Sequence, residues 1–345
     1  MKKGILALAV MGAFSGAALA QSSVTLYGVV DVNVQMRDPA VGDSTVGINS
    51  GHQAGSRWGL RGTEDLGGGL RGIFTLEGGF DVDRGTLGQG GRIFGRQAFA
   101  GVQGGFGTVV AGRISTLSSG TGSLDMFGFV DPFLTGFGGL NLVFSSANAL
   151  RADNAVAWQS PKWSGFQFGV SHSFRQDGAE SPKRNNNAHV TGFAAGYEAG
   201  PFRAAVTYDI VNNPAQGASD QKHLQIGGTF QLNKMLRLHA GYAQEKDIFT
   251  GNVVRITNGS DADAWMVGAT LNLGASTIMA SFNNYDNDRI GTVERDLRRY
   301  GLAYTYAFSR RTNFYASIGE NDGRKTLKNS AFDYRQYTVG LRHLF

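Results

Sequence analysis

From Val24 onward the chain never presents the roughly 18 consecutive apolar residues that a membrane-crossing helix needs, yet apolar and polar side chains alternate over strand-length stretches. Val24, Leu26, Gly28, Val30, Val32 and Val34 fall on one face, and Thr25, Tyr27, Asp31, Asn33 and Gln35 on the other. Near the end, Tyr300, Leu302, Tyr304, Tyr306 and Phe308 alternate with Gly301, Ala303, Thr305 and Ala307. Such a strand is apolar on one side and wetted on the other. Helices and closed barrels are the two architectures that satisfy every backbone group in lipid. With helices excluded, the pattern points to an all-β fold, a transmembrane antiparallel β-barrel.

The connections support that fold. Glu64 to Gly69, Gly104 to Gly107, Glu198 to Pro201, Gln231 to Lys234 and Ser309 to Thr312 read as short turns, while Arg175 to Asn187, Asp247 to Asp261 and Glu320 to Asp333 read as long polar loops. Short turns on one rim and long loops on the other describe an outer-membrane barrel. Strands are expected near 23–36, 55–65, 70–81, 92–103, 106–116, 151–161, 164–175, 187–199, 201–211, 220–231, 236–246, 262–273, 275–284, 295–308, 312–320 and 333–345. About 16 strands, an even number, return both termini to one rim. One connection breaks the rhythm: 117–150, from Leu117 to Leu150, is far longer than the rest and carries Phe127, Phe129, Phe133 and Phe137. So long a segment in a compact domain is usually functional or disordered. Its apolar content predicts a long third loop folded into the lumen, a constriction.

Residues 1–20 read as a cleaved signal peptide, with Lys2 and Lys3, an apolar stretch from Ile5 to Phe14, and Ala18-Leu19-Ala20 as the cleavage site. The remaining 325 residues, 21–345, form one barrel domain, with 30 basic residues against 27 acidic ones once the two lysines are removed. A balance of +3 gives no reason to expect a nucleic-acid partner. The absence of cysteine means that an exported chain must hold together without disulfides.

Several segments, in order, resemble the trimeric general porins of Gram-negative bacteria, and especially their β-proteobacterial branch. They are Ser23-Val24-Thr25-Leu26-Tyr27-Gly28, Ser56-Arg57-Trp58-Gly59-Leu60-Arg61-Gly62, Gly95-Arg96-Gln97-Ala98-Phe99-Ala100-Gly101, Ser160-Pro161-Lys162-Trp163-Ser164-Gly165-Phe166 and Val339-Gly340-Leu341-Arg342-His343-Leu344-Phe345. The resemblance covers essentially the whole of 21–345. It implies a homotrimer in outer-membrane lipid, passing small hydrophilic solutes and anions through a water-filled channel with no cofactor. The loop of the family often carries a Pro-Glu-Phe core and faces a ladder of arginines. Here the nearest matches are Asp131-Pro132-Phe133 and Asp125-Met126, with the acid on the other side of the proline.

The ladder carries over to Arg57 and Arg96 by motif and to Arg151 by a looser match. Alternation turns Arg57 inward beside outward Trp58 and Leu60, and Arg151 inward where Val156 and Trp158 face out. Arg96 shares its parity with Phe94, and Arg61 and Arg113 have lumenal parity. Three arginines against Asp125 and Asp131 predict an anion-preferring pore. Small outward residues such as Gly28 and Gly72 suit close subunit packing. The terminal Phe345, with His343 and Leu341, resembles the signal read by the barrel-assembly machinery, although the same residues alternate as an ordinary lipid-facing strand.

Other chemistries find little support. The six histidines show no HExxH motif, so no metal site is expected, though His172 and His189 are positioned to meet across a hairpin. Asp261 and Asp263 after Asn258-Gly259-Ser260 lack the full calcium-loop pattern. The glycines at 67–69 and 104–107 lack the strand-to-helix setting of a phosphate cradle. No serine pairs recognisably with a histidine segment, so no catalytic residue is expected and a barrel hydrolase is disfavoured. A barrel adhesin is disfavoured by small inward residues and the long inserted loop. A substrate-specific channel is the nearest alternative, with inward Tyr27 as a possible sugar-contacting ring.

Overall fold

The computed structural model describes residues 23–137, 151–178, 188–212, 219–248, 260–288, 295–325, 328–330 and 332–345. The expected signal peptide at 1–20 and residues 138–150 of the long connection lie outside the described residues. The strands are β1 (Ser23–Pro39), β2 (Thr45–Ser50), β3 (Arg57–Gly67), β4 (Leu70–Asp81), β5 (Thr86–Leu87), β6 (Gln97–Gly104), β7 (Gly107–Ser115), β8 (Arg151–Gln159) and β9 (Phe166–Ser173). They continue as β10 (Val190–Ala199), β11 (Phe202–Val211), β12 (Gln221–Gln231), β13 (Leu236–Ile248), β14 (Ser260–Leu273), β15 (Ser276–Asp288), β16 (Arg295–Ala307), β17 (Thr312–Lys325) and β18 (Tyr334–Leu344).

These strands fill sixteen places in a closed antiparallel barrel. β2 and β3 share one place, pairing with the upper and lower parts of β1, and are separated by an inserted segment at 51–56. β5 is a two-residue hairpin on the end of β4, which pairs onward with β6. Closure comes from β1 against β18, from Val29↔Leu344 to Pro39↔Tyr334. The expected strands are all present. The expectation of a strand from 92 fails by five residues, since β6 begins at Gln97, and β17 continues to Lys325 beyond the expected 320.

The distribution of polarity is that of a soluble protein turned inside out. Outward side chains such as Leu26, Ile226, Val267 and Val339 are exposed, whereas inward Asn33, Gln97, Thr207, Gln225, Asn283 and Asn321 are buried. So much exposed apolar surface marks a face meant for lipid. Aromatic rings gather on it, as in the row Trp265, Phe282 and Tyr300 across β14 to β16, with centroids 5.1 and 5.0 Å apart.

Glycines act where side chains would obstruct. The β3–β4 turn places Gly67, Gly68 and Gly69 at φ of 83°, 60° and 80°, a region closed to most residues. At the seam, the Gly28 amide donates to the Phe345 carbonyl and the Phe345 amide to the Gly28 carbonyl, both at 3.1 Å. A Cβ on Gly28 would lie 2.3 Å from Phe345 Cζ. The space above Gly28 is thus filled by Phe345, whereas a Cβ on Gly72 would only touch Leu66 at 3.7 Å.

Candidate pore constriction

Arg57 opens β3 directly after the 51–56 insert, and its Nη1 donates to the Gly55 carbonyl at 2.9 Å. Beside it in the sheet, β4 presents Glu77, a buried inward acid opposite Gly59. Glu77 is the hub of the wall. Its Oε1 accepts from Arg96 Nε at 2.7 Å, and its Oε2 accepts from the Tyr27 hydroxyl at 2.9 Å and lies 3.6 Å from Arg57 Nε. Arg96 stands one residue before β6, so strand parity does not govern it. Phe94 packs outward on Trp58, with centroids 5.9 Å apart, while the Arg96 side chain turns in.

Arg151 donates from Nε to the Arg96 carbonyl at 3.0 Å and feels the charges of Arg96, Arg113, Glu77 and Arg57. Alternation counted from Val156 and Trp158 does not carry across to it, because the register shifts between Gly112 and Ile114 and Asn154 has a positive φ. Arg113 lies at that bulge, donating to the Gly95 carbonyl and to Asp153. Asp153 also receives Arg92 Nη1 at 2.8 Å. Arg61 is exposed, with its guanidinium 5.2 Å from the centre of the Tyr27 ring. Glu77, Asp153 and Arg92 are functional candidates that the sequence reading missed. The available signal was an acid in the middle of β4 at the parity of the inward Ile73 and Thr75.

Arg57, Arg92, Arg96, Arg113 and Arg151 therefore meet three acids, Glu77, Asp153 and Asp177, leaving an excess of two positive charges. Asp125 and Asp131 are employed elsewhere. Asp125 accepts the amides of Gly120, Phe127 and Gly128 at 2.7, 3.2 and 2.8 Å. Burial pushes its carboxyl up from the usual range, while those amides and Arg203 pull it down. Asp131 is buried and accepts the amides of Phe133 and Thr135 at 2.9 and 3.0 Å. Both acids cap turns of the connection itself.

Residues 117–137 run from β7 onto the inward faces of distant strands. Ser118 donates to Asp209 on β11, and the Val130 carbonyl lies 3.1 Å from His239 Nδ1 on β13. Phe127 and Val130 pack with Ala205, Ala243, Ala264 and Met266. Close approach depends on glycine: a Cβ on Gly227 would stand 2.6 Å from Val130 Cγ1, and one on Gly268 2.7 Å from Pro132 Cγ.

The terminal strand turns Leu341 and Phe345 outward into exposure, and Thr312 Oγ1 lies 2.9 Å from His343 Nδ1. His172 and His189 do meet, their rings stacked at 5.8 Å. Asp261 accepts the Asp247 amide and Asp263 the Tyr242 hydroxyl. Among the described residues no three His, Cys, Asp or Glu side chains converge as a cation site.

The profile of the Gram-negative porin family matches residues 7–326. An outer membrane porin protein of Bordetella pertussis is 34% identical over the full length of both chains. Outer membrane porin protein 32 of Delftia acidovorans is 31% identical, over 92% of this chain and 89% of its own. A solved structure described as an anion-selective porin from Comamonas acidovorans superposes with a TM-score of 0.78 at 25% identity, covering 94% of this chain and 100% of that one. A closed barrel, apolar outside and polar within, thus coincides with full-length sequence similarity, and the chain belongs to the Gram-negative porins, integral β-barrel channel proteins of the outer membrane.

Proposed function

We propose that small hydrophilic solutes and ions cross this porin passively through a narrowing bounded by Arg57, Arg96, Arg113 and Arg151 on one side and by residues 117–137 on the other, with anions preferred. The observation carrying the reading is the excess of two positive charges on the arginine wall, with Asp125 and Asp131 occupied by backbone amides of their own segment. Arginine stays protonated at any relevant pH, so the excess is fixed. In a narrow, partly dehydrated passage it attracts anions and repels cations. The reversal potential in a salt gradient across a planar bilayer tests this: anion preference is expected, and cation preference overturns it.

The same reading includes no catalysis. Ser317 Oγ lies 2.8 Å from His52 Nε2, but the group at His52 Nδ1 is Gln35, at 3.5 Å, rather than a carboxylate, and both residues are buried. Tyr27 is engaged with Glu77 and Arg61, which argues against a sugar-contacting role. A homotrimer is part of the proposal, supported by apolar, non-aromatic outward residues on β1 and β2, among them Val24, Leu26, Val46 and Ile48. An oligomer that converts to monomer on heating in detergent is expected; a monomer under mild conditions contradicts it. Recognition of the Phe345 end by the assembly machinery is tested by deleting Phe345, and normal yield in the membrane counts against it.

A further inference from the structure

The insert at 51–56 separates two strands that would otherwise be one, and it is held firmly. The Gly51 amide donates to the Asp31 carbonyl at 2.9 Å, the Ala54 amide to Asp31 Oδ2 at 2.7 Å, and the Asp31 amide to Ser56 Oγ at 3.1 Å. Gln53 Oε1 accepts Asn313 Nδ2 from β17 at 2.8 Å. So anchored, the insert delivers His52 to a buried aromatic nest at the far end of the described loop. The imidazole stacks on Tyr315 at 5.9 Å and meets Phe137 edge-on at 5.8 Å, and Phe137 meets Tyr315 edge-on at 5.6 Å. Phe133 completes the group, 5.8 Å from Phe137. Contact between insert and loop is close enough that a Cβ on Gly136 would stand 2.1 Å from the Gln53 carbonyl oxygen. The insert ends at Arg57, whose guanidinium is tied back to Gly55.

We propose that His52 is a positioning residue for the channel: by clasping Phe137 against Tyr315 it fixes where residues 117–137 cross the lumen, and through the same insert it couples that position to Arg57. The inference rests on the reading that this segment narrows the passage.

The clasp requires a neutral imidazole, because a charge in this nest loses its hydration. Around it stand Tyr315 and Ser317 on β17, Asp31 and Gln35 on β1, and Phe137 on the loop; Asp31 is engaged by Tyr315 at 2.5 Å and attracted to Arg342 on β18. Among the described residues no carboxylate contacts the ring to compensate, and burial pushes the His52 pKa down to about 4 from 6.5. The sign follows from linkage. A released His52 takes up a proton below about 6.5 and a clasped one only below about 4, so each pH unit lost in that window favours release by up to about tenfold.

Single-channel recording with pH titration tests the clasp. In the wild type a steady conductance near neutrality should give way, between pH 6.5 and 4, to an altered and noisier level. His52→Ala should show the altered level at every pH. His52→Gln keeps a polar contact for Ser317 without titrating and should lose the acid transition. An unchanged acid transition in His52→Gln overturns the proposal, and it does so even if His52→Ala fails to assemble. The underlying reading is tested apart from this by Leu134→Cys, 67% exposed in a chain without cysteine, treated with a hydrophilic thiol reagent. Current block supports a loop in the conduction path. No block removes that path and the clasp's role with it, whereas block alongside wild-type behaviour of both His52 variants overturns the clasp alone.

Discussion

On the wall built from β3, β4, β7 and β8 guanidinium groups outnumber carboxylates and stay partly exposed, whereas from β11 to β14 many inward side chains are short or apolar and pack against residues 117–137. The Arg57 and Arg113 side chains retain 26% and 17% of their exposure, while Val130 and Ala243 retain none. The contrast separates two tasks. Apolar burial of about 25 cal/mol per Å² holds a segment in place without consuming charge. The wall arginines therefore need not be neutralised by residues 117–137. Asp125 feels Arg203 on β11 and Asp131 feels Arg299 on β16, so docking the segment leaves the charge excess of the arginine wall in place.

That separation can be broken from either side. The largest effect is expected from replacing Arg57 and Arg96 together by glutamine, which removes the excess of two charges. The reversal potential in a salt gradient should move from anion preference to near zero. An unchanged potential would place these arginines outside the conduction path. Glu77→Gln should act in the opposite direction and less strongly. It adds one net positive charge, raising anion preference, but frees Arg57, Arg96 and Tyr27 from their shared partner, so open-channel noise should rise as well. On the apolar side, Phe127→Ala should cost about 3–5 kcal/mol of packing, a typical loss for a buried phenylalanine. Faster proteolysis within 117–137 is the expected readout, with selectivity little altered; a large change in selectivity would show that loop position and charge are coupled after all. Asp125→Asn should have the smallest effect on the reversal potential, because that carboxylate is engaged by three amides. Its main result should be mild loosening of the turn at Gly128, read as proteolytic sensitivity.

Strand positions were legible in the sequence because each strand is wetted on one face only, and a period of two survives any choice of outward residue. β2 was not legible: six residues, Thr45–Ser50, sit between polar turns and contribute half of one strand's place. Arg57 and Arg96 were read through motif, Arg57 also through parity, Arg151 through a looser match with parity, and Arg113 through parity alone. Parity failed at Arg96 because the strand starts after it, and at Arg151 because a bulge intervenes. The wall acids stayed hidden for a different reason. Glu77 lies 19 residues from Arg96, and Asp153 lies 40 residues from Arg113 and 61 from Arg92, so their pairings follow from which strands become neighbours. His52 was invisible for the same cause, since its ring partners at 137 and 315 are brought together by closure alone.

The seam between β1 and β18 carries a consequence for how the chain comes to be folded. The partners Gly28 and Phe345 belong to the first and last strand places of the barrel, so the contact that removes the last free edge also has the greatest sequence separation of the strand pairings. Most other strand pairs are local hairpins that require only short loops. Folding speed falls as contacts become less local, and closing a longer loop carries a larger entropy cost. Hairpins can therefore form early and in any order, but ring closure must wait until β18 has been made and can reach β1. Until then the chain has two unpaired edges and an apolar face with no lipid to meet, a state prone to aggregation. The slow step in its biogenesis is expected to be this one joining event, and substitutions at Gly28 should delay the appearance of folded barrel more than equivalent changes at any hairpin.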